Sequence, residues 1–149
     1  MLKGIDHRLN ADVLGALRAM GHGDYIIVSD TNFPSDSIAQ QTTLGYLLRM
    51  ENLTAAEAIN AILSVMPLDT FVDDFAGRMQ VGDDPDEIPP VQAEVAAEVA
   101  AAGETRPLGI IERVDFYDLA KGAYAVIQTG ERRFYGCFML RKGVIPPDE

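Results

Sequence analysis

The segment Met20-Gly21-His22-Gly23-Asp24 is the part of the sequence best suited to chemistry. Two glycines flank His22, so the backbone can turn sharply and the imidazole is left uncrowded. Histidine is the side chain best matched to proton transfer near neutral pH. A surface histidine in a glycine-rich turn is the alternative interpretation. His7 has no comparable setting, and we expect it to be a surface residue.

Two aspartates could hold hydroxyl groups of a ligand. Asp30 closes a predicted strand that begins at Tyr25, and ligands of open α/β sheets gather near the carboxyl ends of strands. Asp69 follows Pro67-Leu68 in a predicted turn. For both residues the alternative is an Asx-turn or a cap, in which the carboxylate binds nearby backbone N–H groups.

Four residues of the C-terminal third could complete a binding site. Tyr135 and Cys137 are two positions apart in a predicted strand, so we expect their side chains on one face. Arg113 and Tyr117 are four apart and share a helix face if that helix begins early. A half-buried core tyrosine and a solvated arginine are the alternative roles for Tyr135 and Arg113.

Composition and missing motifs narrow the function classes. The net charge of −11 disfavours binding to nucleic acid and to anionic membranes and is compatible with a neutral small-molecule ligand. We expect no metal, because the two histidines have no matched third ligand. We expect no cofactor, because the sequence has no GxGxxG or Walker A motif, and no acyl-enzyme, because it has no GxSxG elbow. We predict a cytoplasmic protein, because the sequence has a single cysteine, no apolar run long enough to span a membrane and no signal peptide.

The elements that must position these residues alternate along the chain, which predicts one α/β domain over residues 1–149. Helices are expected at 11–20, 55–66, 91–102 and 115–121, with Asn10 as N-cap, Gly21 as a left-handed stop and a Thr54–Glu57 capping box. Strands are expected at 25–28, 44–50, 79–81, 110–111, 123–128 and 134–140. Thr129-Gly130-Glu131 predicts a β-hairpin between the last two strands.

The order of these motifs resembles the fucose mutarotase / ribose pyranase family over nearly the whole chain. The resemblance rests on Met20–Asp24, on Asp30 with Asn32-Phe33-Pro34, and on Pro67-Leu68-Asp69, Phe116-Tyr117, Thr129-Gly130-Glu131, Tyr135-Gly136 and 140–144. Arg113 with Phe116-Tyr117, and glycine after Tyr135, are more similar to the fucose branch than to the ribose branch.

The resemblance implies a ribose pyranase-like three-layer α/β/α fold with a mixed sheet, and an isomerase that acts on a monosaccharide. His22 would be the proton donor, assisted by Tyr117 or Tyr135. Asp30, Asp69, Arg113, Tyr117, Tyr135 and Cys137 would line the sugar site. It also implies a ring-shaped homo-oligomer, typically a decamer, with sites shared between neighbouring subunits. Because an extended segment from His22 to Asp30 spans roughly 25 Å, the two meet only if the loop folds back or neighbours contribute.

Cys137 departs from the family pattern, which usually has asparagine at this position. A thiol is a much weaker hydrogen-bonding group than an amide. The departure implies a different sugar or a reduced activity, and it keeps open a non-catalytic monosaccharide-binding or transport-accessory protein. A ring-forming structural protein without a ligand is a third alternative. Ribose pyranase activity is the nearest enzymatic alternative.

Overall fold

The computed structural model describes residues 1–148 and contains five helices and six strands in that range. The helices are α1 (Ala11–Ala19), α2 (Ser35–Ala39), α3 (Ala55–Leu63), α4 (Pro90–Ala101) and α5 (Arg113–Lys121). The strands are β1 (Tyr25–Ser29), β2 (Leu48–Met50), β3 (Ala76–Met79), β4 (Gly109–Ile111), β5 (Ala125–Thr129) and β6 (Phe138–Arg141).

The sheet is mixed, with strand order β2-β5-β1-β6-β3-β4. β1 runs parallel to β5 and antiparallel to β6, and β6 is also antiparallel to β3. β1 is the central strand because its apolar residues Ile26, Ile27 and Val28 are fully buried and have a paired strand on both sides.

The predicted hairpin between β5 and β6 is wrong, since β1 lies between them. The backbone groups of its expected turn bind other loops instead. Gly130 N–H donates to the carbonyl of Leu53 at 2.8 Å, and Thr31 N–H donates to the carbonyl of Glu131 at 2.9 Å. The segment 130–137 therefore crosses over the end of β1, and β6 joins the sheet on its far side.

Helices cover both faces of the sheet, which confirms the predicted three-layer α/β/α fold. Buried side chains of α1, α3 and α4 pack on one face, and those of α2 and α5 pack on the other. The predicted caps also form, because Asn10 Oδ1 accepts from Val13 N–H at 2.9 Å and Thr54 and Glu57 make a reciprocal capping box. Helix α2 has five residues, too few for a periodic signal in the sequence.

No helix in the described range 1–148 has the length and apolar character needed to span a membrane.

Candidate functional site

A cavity of about 240 Å³ opens where β1 ends. It brings together five of the residues that the sequence predicted: Asp30, Arg113, Tyr117, Tyr135 and Cys137. Sequence reasoning missed the other residues that line it, which are Asn32, Phe33, Met79 and Phe134. Asn32 and Phe33 could have been found from the sequence, because they belong to the loop that follows Asp30. Met79 could not, because it lines the cavity only as a result of the pairing of β3 with β6.

Arg113 and Tyr117 share one face of α5, as their spacing predicted. The helix begins at Arg113, two residues earlier than expected, because Phe116 N–H donates to the carbonyl of Glu112 at 2.7 Å. Arg113 Nη1 donates to the Tyr117 hydroxyl at 3.4 Å, and the guanidinium lies 5.4 Å from the ring centroid. The Tyr117 ring meets Phe33 edge to face at 5.2 Å. A cation, a hydroxyl and two aromatic rings therefore line one wall of the cavity.

The Asp30 carboxylate is buried and engaged by backbone groups. Oδ1 accepts from the N–H groups of Asn32 and Phe33, each at 3.0 Å, and Oδ2 accepts from Gly136 N–H at 3.1 Å. The Asx-turn interpretation is therefore correct as a description of its contacts. These three backbone donors fill most of the acceptor capacity of a carboxylate.

Tyr135 does not lie on a strand, contrary to the sequence prediction. β6 begins only at Phe138, and Tyr135 lies in a turn with φ of 60°. The left-handed conformation costs a non-glycine residue roughly 1–2 kcal/mol. Surrounding contacts must hold this conformation, and residues in such strained turns cluster at functional sites.

Cys137 lies at the buried floor of the cavity beside Met79. Burial raises the pKa of the Cys137 thiol well above its usual range, and the nearby Asp30 carboxylate raises it further. The thiol is therefore neutral near pH 7 and is a poor nucleophile. Cys137 offers the cavity only weak hydrogen bonding, which leaves its floor largely apolar.

His22 and Asp69 lie together at the opposite end of β1. His22 Nε2 is 3.1 Å from Asp69 Oδ2, while Asp69 Oδ1 accepts from Phe71 N–H at 3.1 Å. The His22 side chain is 46% exposed, and its ring meets that of Phe71 edge to face at 5.8 Å. Because a carboxylate only accepts, Nε2 carries the hydrogen and Nδ1 is free to exchange a proton.

The loop that carries His22 is held by its own backbone and by the end of β6. Asp24 Oδ2 accepts from Gly21 N–H at 2.8 Å, Gly23 N–H donates to the carbonyl of Lys142 at 2.9 Å, and Lys142 N–H donates to the carbonyl of Asp24 at 2.8 Å. Gly23 has a left-handed backbone, with φ of 90°. The prediction that Gly21 is the left-handed residue is therefore wrong. These contacts direct the loop away from the cavity at the other end of β1.

One subunit thus carries two separate groups of predicted site residues. His22 and Asp69 form the histidine half-site, and the residues around the cavity form the cavity half-site. His22 is not among the residues that line the cavity. The loop does not fold back toward the cavity, so the two groups lie apart within this chain.

Glu131 is a buried acid that sequence reasoning took only for part of a turn. Its carboxylate accepts from Ala55 N–H at the start of α3, and from the backbone N–H and side chain of Arg133. Burial alone would raise the pKa of Glu131, but the hydrogen bonds from Arg133 and Ala55 outweigh it and the pKa is lowered. Glu131 therefore anchors the segment that leads to Tyr135.

We expect Glu131→Gln to lower the free energy of unfolding at pH 7 and to flatten its dependence on pH below about 4.5. The folded-state pKa is below the unfolded one, so the ionised carboxylate stabilises the protein above about pH 4.5. That contribution is lost as the pH falls through the folded-state pKa. Urea unfolding at several pH values measures both effects.

Glu104→Gln is the matched control for this prediction. Glu104 binds Arg106 in the same spacing, also through the backbone N–H and guanidinium, but this pair has no bond to α3. We expect a smaller loss of stability there, because more exposed pairs contribute little. Equal losses in the two variants would contradict the anchoring role of Glu131.

Among the described residues, no group of three or more histidine, cysteine or acidic side chains is arranged to hold a metal ion.

The fold defines an α/β protein with a small cavity, lined by polar and aromatic side chains, at the carboxyl end of a central strand. Residues 3–145 match the RbsD / FucU transport protein family, and the chain belongs to this family. This finding confirms the resemblance to the fucose mutarotase / ribose pyranase family.

Three relatives illustrate the similarity. Human "Fucose mutarotase" is 40% identical over 147 residues, which cover 97% of this chain and 94% of the relative. The crystal structure of Atu2016, described as a putative sugar binding protein, is 61% identical with a TM-score of 0.96, covering 98% of this chain and 97% of that one. Fucose mutarotase from Streptococcus pneumoniae, solved in complex with L-fucose, is 35% identical with a TM-score of 0.87, covering 97% and 100%.

Proposed function

We propose that this chain is a monosaccharide mutarotase that interconverts the α and β anomers of a sugar such as L-fucose by opening and reclosing the ring. The cavity half-site carries the proposal, because it combines aromatic rings with a guanidinium, two phenol hydroxyls and a carboxylate in one small cavity. The names of the relatives, fucose mutarotases in animals and bacteria, support the same reaction.

The mechanism needs the ring oxygen to gain a proton and the anomeric hydroxyl to lose one. We assign His22 to these proton transfers: with Nε2–H bound to Asp69, the lone pair of Nδ1 can accept the proton of the anomeric hydroxyl, and the imidazolium that forms can give a proton to the ring oxygen. Tyr117 or Tyr135 would assist through its hydroxyl, and Arg113 and Asp30 would orient the sugar. The open-chain aldehyde then rotates and the steps reverse. Nothing is oxidised and no phosphate moves, so the reaction needs no cofactor.

The site becomes complete if the histidine half-site of one subunit meets the cavity half-site of its neighbour. We therefore propose a ring-shaped homo-oligomer, in line with the decamer expected from the family. An exposed aromatic side chain lies beside each half-site: Phe71 is 72% exposed and Phe134 is 73% exposed. Contact between subunits would bury both rings, as such exposed apolar groups often do at interfaces.

The proposal treats residues 1–149 as one domain that works in the cytoplasm on a neutral sugar, without nucleic acid or membrane partners. The match to the family over 3–145, the net charge of −11 and the free thiol of Cys137 support it.

Saturation-transfer NMR on fucose, galactose and ribose tests the proposed activity directly. A mutarotase accelerates exchange between α and β anomers, whereas a ribose pyranase accelerates exchange between pyranose and furanose forms. A non-catalytic sugar-binding or transport-accessory protein is the second candidate, favoured by the weak hydrogen bonding of Cys137. It would give a sugar-dependent thermal shift with exchange at the buffer rate. Anomer exchange at the buffer rate for every sugar would refute the mutarotase proposal, and the absence of a thermal shift as well would refute the second candidate.

Cys137→Asn is expected to raise kcat/KM for L-fucose about 2- to 10-fold, since one hydrogen bond contributes about 0.5–1.5 kcal/mol. The amide places a donor and an acceptor where the cavity now has a neutral thiol. The same NMR exchange experiment measures the change across the sugar panel. Cys137→Ala is the control for volume, and we expect it to show no gain. An equal loss with Asn for every sugar would contradict the role of this position in selecting hydroxyls.

A further inference from the structure

The peptide group between Tyr135 and Gly136 is held at both ends by buried side chains. The Tyr135 carbonyl accepts from Gln92 Nε2 at 3.1 Å, and Gly136 N–H donates to Asp30 Oδ2 at 3.1 Å. A side chain on Gly136 is excluded, because its Cβ would lie 2.8 Å from Glu131 Cγ. The orientation of this peptide group fixes ψ of Tyr135, one of the two angles that define its left-handed turn.

Gln92 is fully buried on α4 and does not line the cavity. Its amide nitrogen also donates to the carbonyl of Met79 at 2.7 Å, while Arg78 Nη1 donates to Oε1 at 3.0 Å. Because Arg78 can only donate, the amide cannot flip without losing this bond. The nitrogen of Gln92 is therefore fixed toward the Tyr135 carbonyl.

Arg78 is itself held by backbone carbonyls. Its guanidinium donates to the carbonyls of Pro85 and Glu87 at 2.7 and 3.1 Å. These residues belong to the loop at 82–89 that precedes α4 and holds four acidic residues. A continuous chain of hydrogen bonds thus runs from this loop through Arg78 and Gln92 to the backbone of Tyr135.

We propose that Gln92 is a positioning residue that holds Tyr135 in its left-handed turn and so directs the phenol into the cavity. The inference rests on the proposed function for its effect on catalysis. Tyr135 is the one non-glycine residue with positive φ in the described range. A buried glutamine that only satisfied its own hydrogen bonds would not need to bond to this residue. The Gln92 amide instead meets the carbonyl of that residue directly.

The test compares Gln92→Glu with Gln80→Glu. The Gln92 substitution keeps the shape and can keep the bond with Arg78, but a carboxylate cannot donate to the Tyr135 carbonyl. Gln80 is also buried and directly follows β3, and its amide donates to the carbonyl of Gly82 at 2.9 Å. We expect Gln92→Glu to lower kcat/KM about 10- to 100-fold, mainly through kcat, and Gln80→Glu to change it less than about twofold.

A double mutant separates positioning from general damage. In a Tyr135→Phe background the phenol hydroxyl is already absent, so Gln92→Glu should cause much less further loss. An equal loss in both backgrounds would overturn the inference, as would equal activities of Gln92→Glu and Gln80→Glu.

Amide hydrogen exchange supplies a readout that does not depend on activity, and its first part needs only the wild-type protein. In the wild-type protein the Gly136 amide should exchange slowly, and Gln92→Met should speed its exchange more than that of amides elsewhere in the sheet. Fast exchange at Gly136 in the wild type would overturn the inference. If the wild type fails to exchange anomers while Gly136 is protected and responds to Gln92→Met, the proposed function fails and the positioning stands.

Discussion

His22→Ala is expected to slow enzyme-catalysed anomer exchange by at least about 100-fold, since a positioned acid–base group typically contributes 10²–10⁴-fold. His22 is the half-exposed imidazole whose Nε2 is held by Asp69 and whose Nδ1 is free. Asp69→Asn should give a smaller loss, because the imidazole remains but its hydrogen is no longer fixed on Nε2. Saturation-transfer NMR on L-fucose measures all three proteins.

His7→Ala is the matched control, because it removes the other histidine of the chain. The His7 side chain is 78% exposed, as predicted for a surface residue, and lies outside both half-sites. Its substitution should leave the exchange rate and the thermal stability within error of the wild type. Full activity in His22→Ala would remove the imidazole from the mechanism and with it the histidine half-site.

Mixed oligomers are expected to recover activity when their two defects lie in different half-sites. One subunit would carry His22→Ala and the other Tyr117→Phe with Tyr135→Phe, each nearly inactive by itself. If each site joins two subunits, random assembly gives roughly a quarter of the sites an intact histidine half and an intact cavity half. Co-expression with two affinity tags isolates the mixed species, and NMR measures their exchange rate.

The control pairs two defects in the same half-site. Mixing His22→Ala with Asp69→Asn subunits leaves every site without an intact histidine half, so the rate should not exceed the mean of the two parents. If the His22 and tyrosine mixture also stays at the mean of its parents, the sites are not shared between subunits. In that case the histidine half-site and the cavity half-site would not act together in one reaction.

Local signals in the sequence were enough for several elements. The capping box at Thr54 and Glu57 and the N-cap at Asn10 depend on contacts within three residues, and both form as predicted. The shared face of Arg113 and Tyr117 follows from helical spacing alone. These features involve few residues close together in the chain, and tertiary contacts do not reverse them.

Long-range pairing could not be predicted in the same way. A Thr-Gly-Glu turn between two apolar runs is typical of a hairpin, yet β1 lies between β5 and β6 because a buried central strand needs a partner on each side. The same rearrangement takes Tyr135 out of the strand and into a left-handed turn. Its conformation depends on Asp30 and Gln92, which are 105 and 43 positions away in the chain.

The sequence by itself determined the alternating α/β elements, the family and the identities of the main candidate residues. Each of these is carried by residue type and short spacing, which the chain displays without folding. Only the tertiary structure decided that the candidates divide between two ends of β1, and that Glu131 and Gln92 support the cavity. Those outcomes depend on strand order and on hydrogen bonds between distant segments, which no local pattern encodes.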